Sequence, residues 1–325
     1  MNELADLKSV FELYLDKQVY HKEPRNLYAP IKYTLENGGK RIRPLLVLLS
    51  AQSFGQSIDK ALPAAAAIEI FHNFTLLHDD IMDAAPLRRG KPTVHQKWDE
   101  NIAILSGDTM LVLAYKMLEV YDAAIYKQLN VLLNQTAVEV CEGQQMDMDF
   151  ETRQDVSIQE YIEMIKLKTA VLLGAALKFG GIVAGAPEAD LNKISDFGIK
   201  LGLAFQIQDD YLDTFGDSQT FGKRIGGDIL DRKKTFLYIT ALQKASKEDR
   251  EILLHLYQSH NIAGEKDFVE KVVQLFKKYQ VDKLTKAKIN YYTEEALTAL
   301  SQTGLSEKQK QFWKTFAYNL MHRNS

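Results

Sequence analysis

His78-Asp79-Asp80-Ile81-Met82-Asp83 places three carboxylates within five residues, at the end of the mostly apolar run from Ala64 to Leu77. Aspartate is a poor helix-interior residue, and uncompensated buried charge is costly. The spacing therefore predicts that Asp79 and Asp83, one helical turn apart, face an open cleft and hold a hard cation through oxygen ligands. A single acidic cluster is more often a solvated helix end. Here the pattern recurs: Gln208-Asp209-Asp210-Tyr211-Leu212-Asp213 repeats D-D-x-x-D after another apolar-rich segment, Ile199 to Ile207. Two clusters of one design point to one site with several divalent ions.

Cations held by carboxylates need something anionic to bind. Gly38-Gly39-Lys40-Arg41-Ile42-Arg43-Pro44 puts three cations and two glycines at a loop–helix junction. Backbone N–H groups and the helix dipole there favour phosphate, and arginine adds bidentate geometry. Pro86-Leu87-Arg88-Arg89-Gly90-Lys91 supplies three more cations just after the first aspartate cluster. Either run alone reads equally well as a solvated basic turn; flanking a paired-aspartate helix, they are not a generic surface.

Helices must position these groups. Six of the seven prolines fall by Pro92 and none follows Pro187, so the C-terminal part reads as successive helices. No run of alternating strands or hairpin turns stands out. Amphipathic spacing predicts a helix over residues 3–20, a second after Pro24 ending at Gly38-Gly39, and a third opened by Pro44. A long alanine-rich helix runs from about Asp59 to Met82, and Asp83 to Thr93 is a loop. Core helices follow over Asn101–Tyr121 and Ala124–Asp147. The capping-box spacing of Ser157 and Glu160 opens one toward Phe179, and Pro187 to Phe215 forms another. Ser246 offers a second cap.

With 325 residues, 46% of them apolar and 26% charged, the chain reads as one large all-α domain over 1–325. A net charge of -3 gives no electrostatic case for a nucleic-acid partner. The single cysteine, Cys141, rules out an intramolecular disulfide framework and suits a cytoplasmic setting; its helical surroundings read as packing. The N-terminus lacks a signal-peptide pattern, and the runs Pro44–Ala51 and Ala61–Ile68 are too short for a membrane span.

Several spaced motifs, taken in order, resemble the trans-isoprenyl diphosphate synthases over nearly the whole chain. They are G-G-K-R-I-R-P at 38–44, D-D-I-M-D-x4-R-R-G at 79–90, G-Q-x-x-D at 143–147, K-x-x-x-L at 168–172 and F-Q-I-Q-D-D-Y-L-D at 205–213. G-K at 222–223 and D-x-x-D-R-K-K-T at 228–235 continue the series. The resemblance implies an all-α helical bundle around a deep central cavity, a homodimer, and condensation of an allylic diphosphate (dimethylallyl, geranyl or farnesyl) with isopentenyl diphosphate. It implies Mg²⁺, three ions with substrate bound, held by Asp79, Asp80, Asp83, Asp209, Asp210 and Asp213. Lys40, Arg43, His72 and Arg89 match the isopentenyl diphosphate positions. Arg88, Lys168, Thr169, Gln206, Lys223 and Lys233 match the allylic side, and Arg88, Lys168, Thr169 and Gln206 carry the catalytic assignment.

Physical chemistry agrees with that assignment. Ionising an allylic diphosphate builds negative charge on the leaving group, which metals with Arg88, Lys223 and Lys233 would stabilise. One charge pair at contact is worth about 4 kcal/mol at intermediate dielectric. The hydroxyl of Thr169 and the amide oxygen of Gln206 would shelter the cation. His78 reads as a structural histidine, with His95 and Trp98 packed beneath the arginine loop.

Product length in such enzymes depends on what plugs the cavity below the first aspartates. By resemblance Phe74 and Thr75 are the gate, most like enzymes stopping at C20, with C15 next. Helix geometry instead nominates Thr75 and Phe71, about 40° and about 80° from Asp79, because Phe74 lies about 140° away. Two rivals use similar motifs: a class I terpene cyclase, which has no use for Lys40 and Arg43, and a non-catalytic subunit, which typically loses an aspartate motif.

Overall fold

The computed structural model describes residues 2–18, 22–216, 226–258 and 264–321, and its secondary structure is almost entirely helical. Lys223 lies outside these residues. The chain divides into two compact units, Met1–Asn134 with Ala175–Ser195, and Gln135–Gly174 with Asp196–Ser325.

The first unit holds α1 (Asn2–Lys17), α2 (Arg25–Glu36), α3 (Ile42–Ser53) and α4 (Ile58–Met82). A short α5 (Val94–Lys97) and α6 (Glu100–Lys116) follow, the latter ending in a 3-10 turn, Met117–Val120. The alanine-rich sequence of α4 gives a slim helix that neighbours approach on all sides, and Ala64 to Ile68 and Ile70 are fully buried. Each larger aliphatic side chain enclosed there contributes about 1.5–3 kcal/mol. α3 and α6 pack on it. Gly180 lies where a Cβ would fall 2.2 Å from the Val47 carbonyl, so the backbones meet directly, and Ser50 Oγ donates to the Leu177 carbonyl at 2.6 Å.

Two local expectations are corrected here. The Asp83–Thr93 segment holds a β-hairpin, β1 (Leu87–Arg88) and β2 (Lys91–Pro92), with Arg89 and Gly90 both at positive φ. Strands of two residues are too short to show alternation, whereas the turn pair suits a two-residue hairpin. The stretch Glu100–Val120, read from the sequence as a core helix and not as a membrane span, is long and apolar enough by length and composition to cross a membrane. It packs against α2 and α4 and exposes Ile104, Leu105 and Val112.

Helices α7 (Ala123–Thr152), α9 (Val171–Val183) and α10 (Glu188–Phe215) contain the boundaries between the units. In the second unit, α8 (Ile158–Ile165) opens on the expected capping box: Ser157 accepts from the Glu160 N–H, and Glu160 accepts from the Ser157 N–H at 2.9 Å. The predicted single helix toward Phe179 is interrupted by a π-type turn, Lys166–Ala170. Gly143 explains its fit, because a Cβ there would lie 2.2 Å from the Lys168 backbone nitrogen, and Gly202 meets Ala170 in the same manner. The remaining helices are α11 (Gly227–Leu230), α12 (Phe236–Lys244), α13 (Lys247–Gln258), α14 (Glu265–Lys278), α15 (Val281–Ser301) and α16 (Glu307–Met321). Ser246 caps α13 by accepting from the Asp249 N–H. Trp313, fully buried, meets Phe197 edge-on at 5.9 Å, and Tyr238 stacks on Tyr257 at 4.0 Å. Cys141 is exposed on α7 rather than packed.

Candidate active site

In the first unit, the last turn of α4 carries Asp79 and Asp80. Asp80 is the buried member, Asp79 is partly buried and Asp83, at the helix C-terminus, is exposed, so the cluster does not simply present Asp79 and Asp83 to one side. The hairpin turns Arg88 back onto both: its Nε donates to Asp80 Oδ1 at 2.6 Å, and an Nη to Asp79 Oδ2 at 3.3 Å. Burial raises the Asp80 pKa, against the pull of Arg88.

The glycine turn before α3 forms a second cationic group. Lys40 is exposed, and an Arg43 Nη lies 3.0 Å from His72 Nε2. Burial, then the nearby guanidinium groups of Arg43, Arg89, Arg88 and Arg41, hold His72 well below the usual imidazole range. The ring is therefore neutral and accepts from Arg43. Arg89 donates to the Gly38 carbonyl, and its guanidinium fills the space beside Gly39, where a Cβ would sit 2.8 Å away. Gly39, at φ 124, is a position that side chains rarely adopt. Phe71 is enclosed, whereas Phe74 and Thr75 are partly exposed; the Phe74 ring meets Phe71 at 5.7 Å and His78 at 4.8 Å. His78 lies 3.2 Å from the Ile104 carbonyl, as suits a structural histidine. Trp98 meets Tyr33 edge-on, and both His95 ring nitrogens are buried without hydrogen-bond partners.

In the second unit, Asp209, Asp210 and Asp213 occupy the last turns of α10. Asp210 is buried: Tyr161 donates its hydroxyl to Oδ2 at 2.6 Å and Gln206 its amide to Oδ1 at 3.0 Å. Thr169 donates to the Gln206 amide oxygen at 3.3 Å, so the π-type turn and the aspartate helix share one hydrogen-bond chain. Burial, reinforced by Asp228, raises the Asp210 carboxyl far above the usual range. Burial and the Asp210 charge likewise raise Tyr161, which keeps its proton. Asp213 accepts from the Asp228 N–H at 2.9 Å. Lys168 pairs with Asp147 at 2.6 Å, and Lys233 lies 3.7 Å from Asp228. Desolvation opposes the ammonium of Lys233, but Asp228, Asp147, Asp210 and Asp231 outweigh it and raise its pKa.

These donors suit a hard divalent cation. They are carboxylate oxygens, and Asp80 and Asp210 sit where burial penalises their charged forms, a deficit of positive charge that such an ion would fill. Among the described residues, no three acidic, histidine or cysteine side chains already converge as a metal-binding group.

Sequence reasoning left five neighbours without roles. Asp147, Asp228 and Arg41 stood inside motifs it quoted. Glu69 was legible as a lone carboxylate in an apolar helix, which demands a cation. Tyr161, 49 residues from its partner Asp210, left no local signal.

The chain is similar to known proteins over most of its length. The family model described as Polyprenyl synthetase matches residues 24–276. A short chain isoprenyl diphosphate synthase from Methanothermobacter thermautotrophicus is 38% identical over 284 residues, 86% of each chain. A geranylfarnesyl diphosphate synthase from Natronomonas pharaonis is 37% identical over 257 residues, covering 73% of this chain and 75% of its own. A crystal structure of a geranylgeranyl pyrophosphate synthase superimposes with a TM-score of 0.96 at 48% identity, covering 100% of both chains.

Proposed function

Because the chain belongs to the polyprenyl synthetase family and is a short-chain trans-prenyltransferase, we propose that it joins an allylic diphosphate to isopentenyl diphosphate, with geranylgeranyl diphosphate as the main product. The observation that carries the reading is that the first D-D-x-x-D helix end is met by a guanidinium of its own unit, and the second has an ammonium one residue contact away within its own unit. Arg88 meets Asp79 and Asp80, and Lys233 lies close to Asp228, the neighbour of Asp213.

The allylic substrate is dimethylallyl, geranyl or farnesyl diphosphate. Mg²⁺ held by Asp79, Asp80, Asp83, Asp209, Asp210 and Asp213 would supply Lewis-acid neutralisation of the diphosphate. Arg88, Lys168 and Lys233 offer charge-assisted donors to its oxygens as the allylic C–O bond breaks. Thr169 and Gln206 present oxygen dipoles to the cation without a nucleophile strong enough to capture it. Lys40, Arg43 and Arg89 bind isopentenyl diphosphate, and the neutral His72 orients Arg43. The isopentenyl double bond then forms the new C–C bond. The adjacent carbon loses a proton to the departing diphosphate, restoring an allylic diphosphate one unit longer. The exposed Ile104, Leu105 and Val112 of α6 are the surface we assign to a homodimer.

The test is incubation of the pure protein with Mg²⁺, dimethylallyl diphosphate and labelled isopentenyl diphosphate, followed by chromatography of the dephosphorylated products. Geranylgeraniol is expected as the main alcohol. Cyclic hydrocarbons, or no incorporation, would reject the synthase reading; a main C15 or C25 product would reject only the length. Phe74→Ala, which removes a partly exposed ring below Asp79, is expected to lengthen the product. An unchanged profile moves the stop to Phe71 or to Leu111–Tyr115.

A further inference from the structure

Arg41 stands between Lys40 and Arg43 in sequence but takes a different course. Lys40 is exposed, whereas Arg41 is 6% exposed and adopts the left-handed conformation, φ 50, as the N-cap of α3. One guanidinium nitrogen donates to Glu69 Oε1 at 2.5 Å, a second to the Leu35 carbonyl, and Nε lies 3.7 Å from Glu12. A single planar group thus ties the turn before α3 to the last residues of α2, the middle of α4 and one face of α1. Glu69, itself 3% exposed, is also fixed by Asn73, whose amide donates to the Glu69 carboxylate at 3.1 Å and to its backbone carbonyl at 2.7 Å. His72, which accepts from Arg43, sits between Glu69 and Asn73 on the same helix.

We infer that Arg41 is a positioning residue for the isopentenyl half of the site: its buried fork to Glu69 and Leu35 fixes the turn that aims Lys40 and Arg43. The inference rests on the proposed assignment of those two residues to isopentenyl diphosphate. Two acceptors in different directions, with Glu12 3.7 Å from Nε, hold an otherwise strained backbone at the residue between Lys40 and Arg43. A lysine keeps the charge but lacks the planar fork, so it satisfies one acceptor where arginine satisfies two.

The test compares Arg41→Lys with the double variant Arg41→Met, Glu69→Leu. The latter replaces a buried ion pair with apolar groups of similar volume, a change that typically leaves stability intact. In both, KM for isopentenyl diphosphate is expected to rise about tenfold or more, with KM for farnesyl diphosphate and kcat at saturation nearly unchanged. Titration calorimetry with isopentenyl diphosphate alone is expected to show the same loss of affinity. Unchanged KM values, or an equal rise for both substrates, would overturn the inference and leave Arg41 a purely structural residue. Absence of elongation by the unmodified protein would instead overturn the assignment on which it rests.

Discussion

At the scale of single residues, one carboxylate at each helix end, Asp80 and Asp210, is set against its own burial. Asp210 is the clearer case, enclosed, hydrogen-bonded by Tyr161 and Gln206, and raised far above the usual carboxyl range by desolvation and Asp228. An amide in that place keeps the shape and removes the charge. Asp210→Asn is therefore expected to lower kcat by roughly 100-fold or more, the scale of losing one electrostatic group in an active site. The same variant should melt at or above the temperature of the unmodified protein without Mg²⁺. Elongation rates and thermal melts of one preparation check both halves, and a large drop in melting temperature would contradict the argument.

At the scale of elements, the π-type turn places Lys168 and Thr169, and Gly143 makes room for it. Gly143→Ala puts a methyl against backbone, which cannot yield as a flexible side chain does. Overpacking of this kind costs about 1–3 kcal/mol; we expect a lower melting temperature together with a higher KM for the allylic substrate. α8, just before that turn, depends on its cap. Glu160 accepts from Ser157 and from Arg153, which hold its carboxyl down to about 2. The depressed value means that its contribution is complete above the ordinary glutamate range and fades as pH falls toward 2. The stability gap between the unmodified protein and Glu160→Gln should thus shrink from pH 6 to pH 3, as measured by urea melts at each pH. This cap was legible in advance because Ser157 and Glu160 are three residues apart, a purely local code. The helix starts and the two aspartate ends were legible for the same reason. The π-type turn was not, since it depends on Gly143 approaching from another helix. The Arg88 hairpin was missed because each strand has only two residues.

At the scale of the whole molecule, the exposed aliphatics of α6 bear on assembly. Leu105 and Val112 are seven residues apart, on one face, and remain 58% and 65% exposed. Val112→Glu on the proposed contact should shift the protein from dimer to monomer in light scattering, while a single-chain mass for the unmodified protein would remove the premise. A different consequence follows from Cys141, the sole thiol in 325 residues and exposed on α7. Partial burial and the charge of Glu142 raise its pKa, so little thiolate forms at neutral pH. The chain consequently carries a single natural attachment point for a fluorophore, slow to react until the buffer is made alkaline, and one label per chain follows without any engineering.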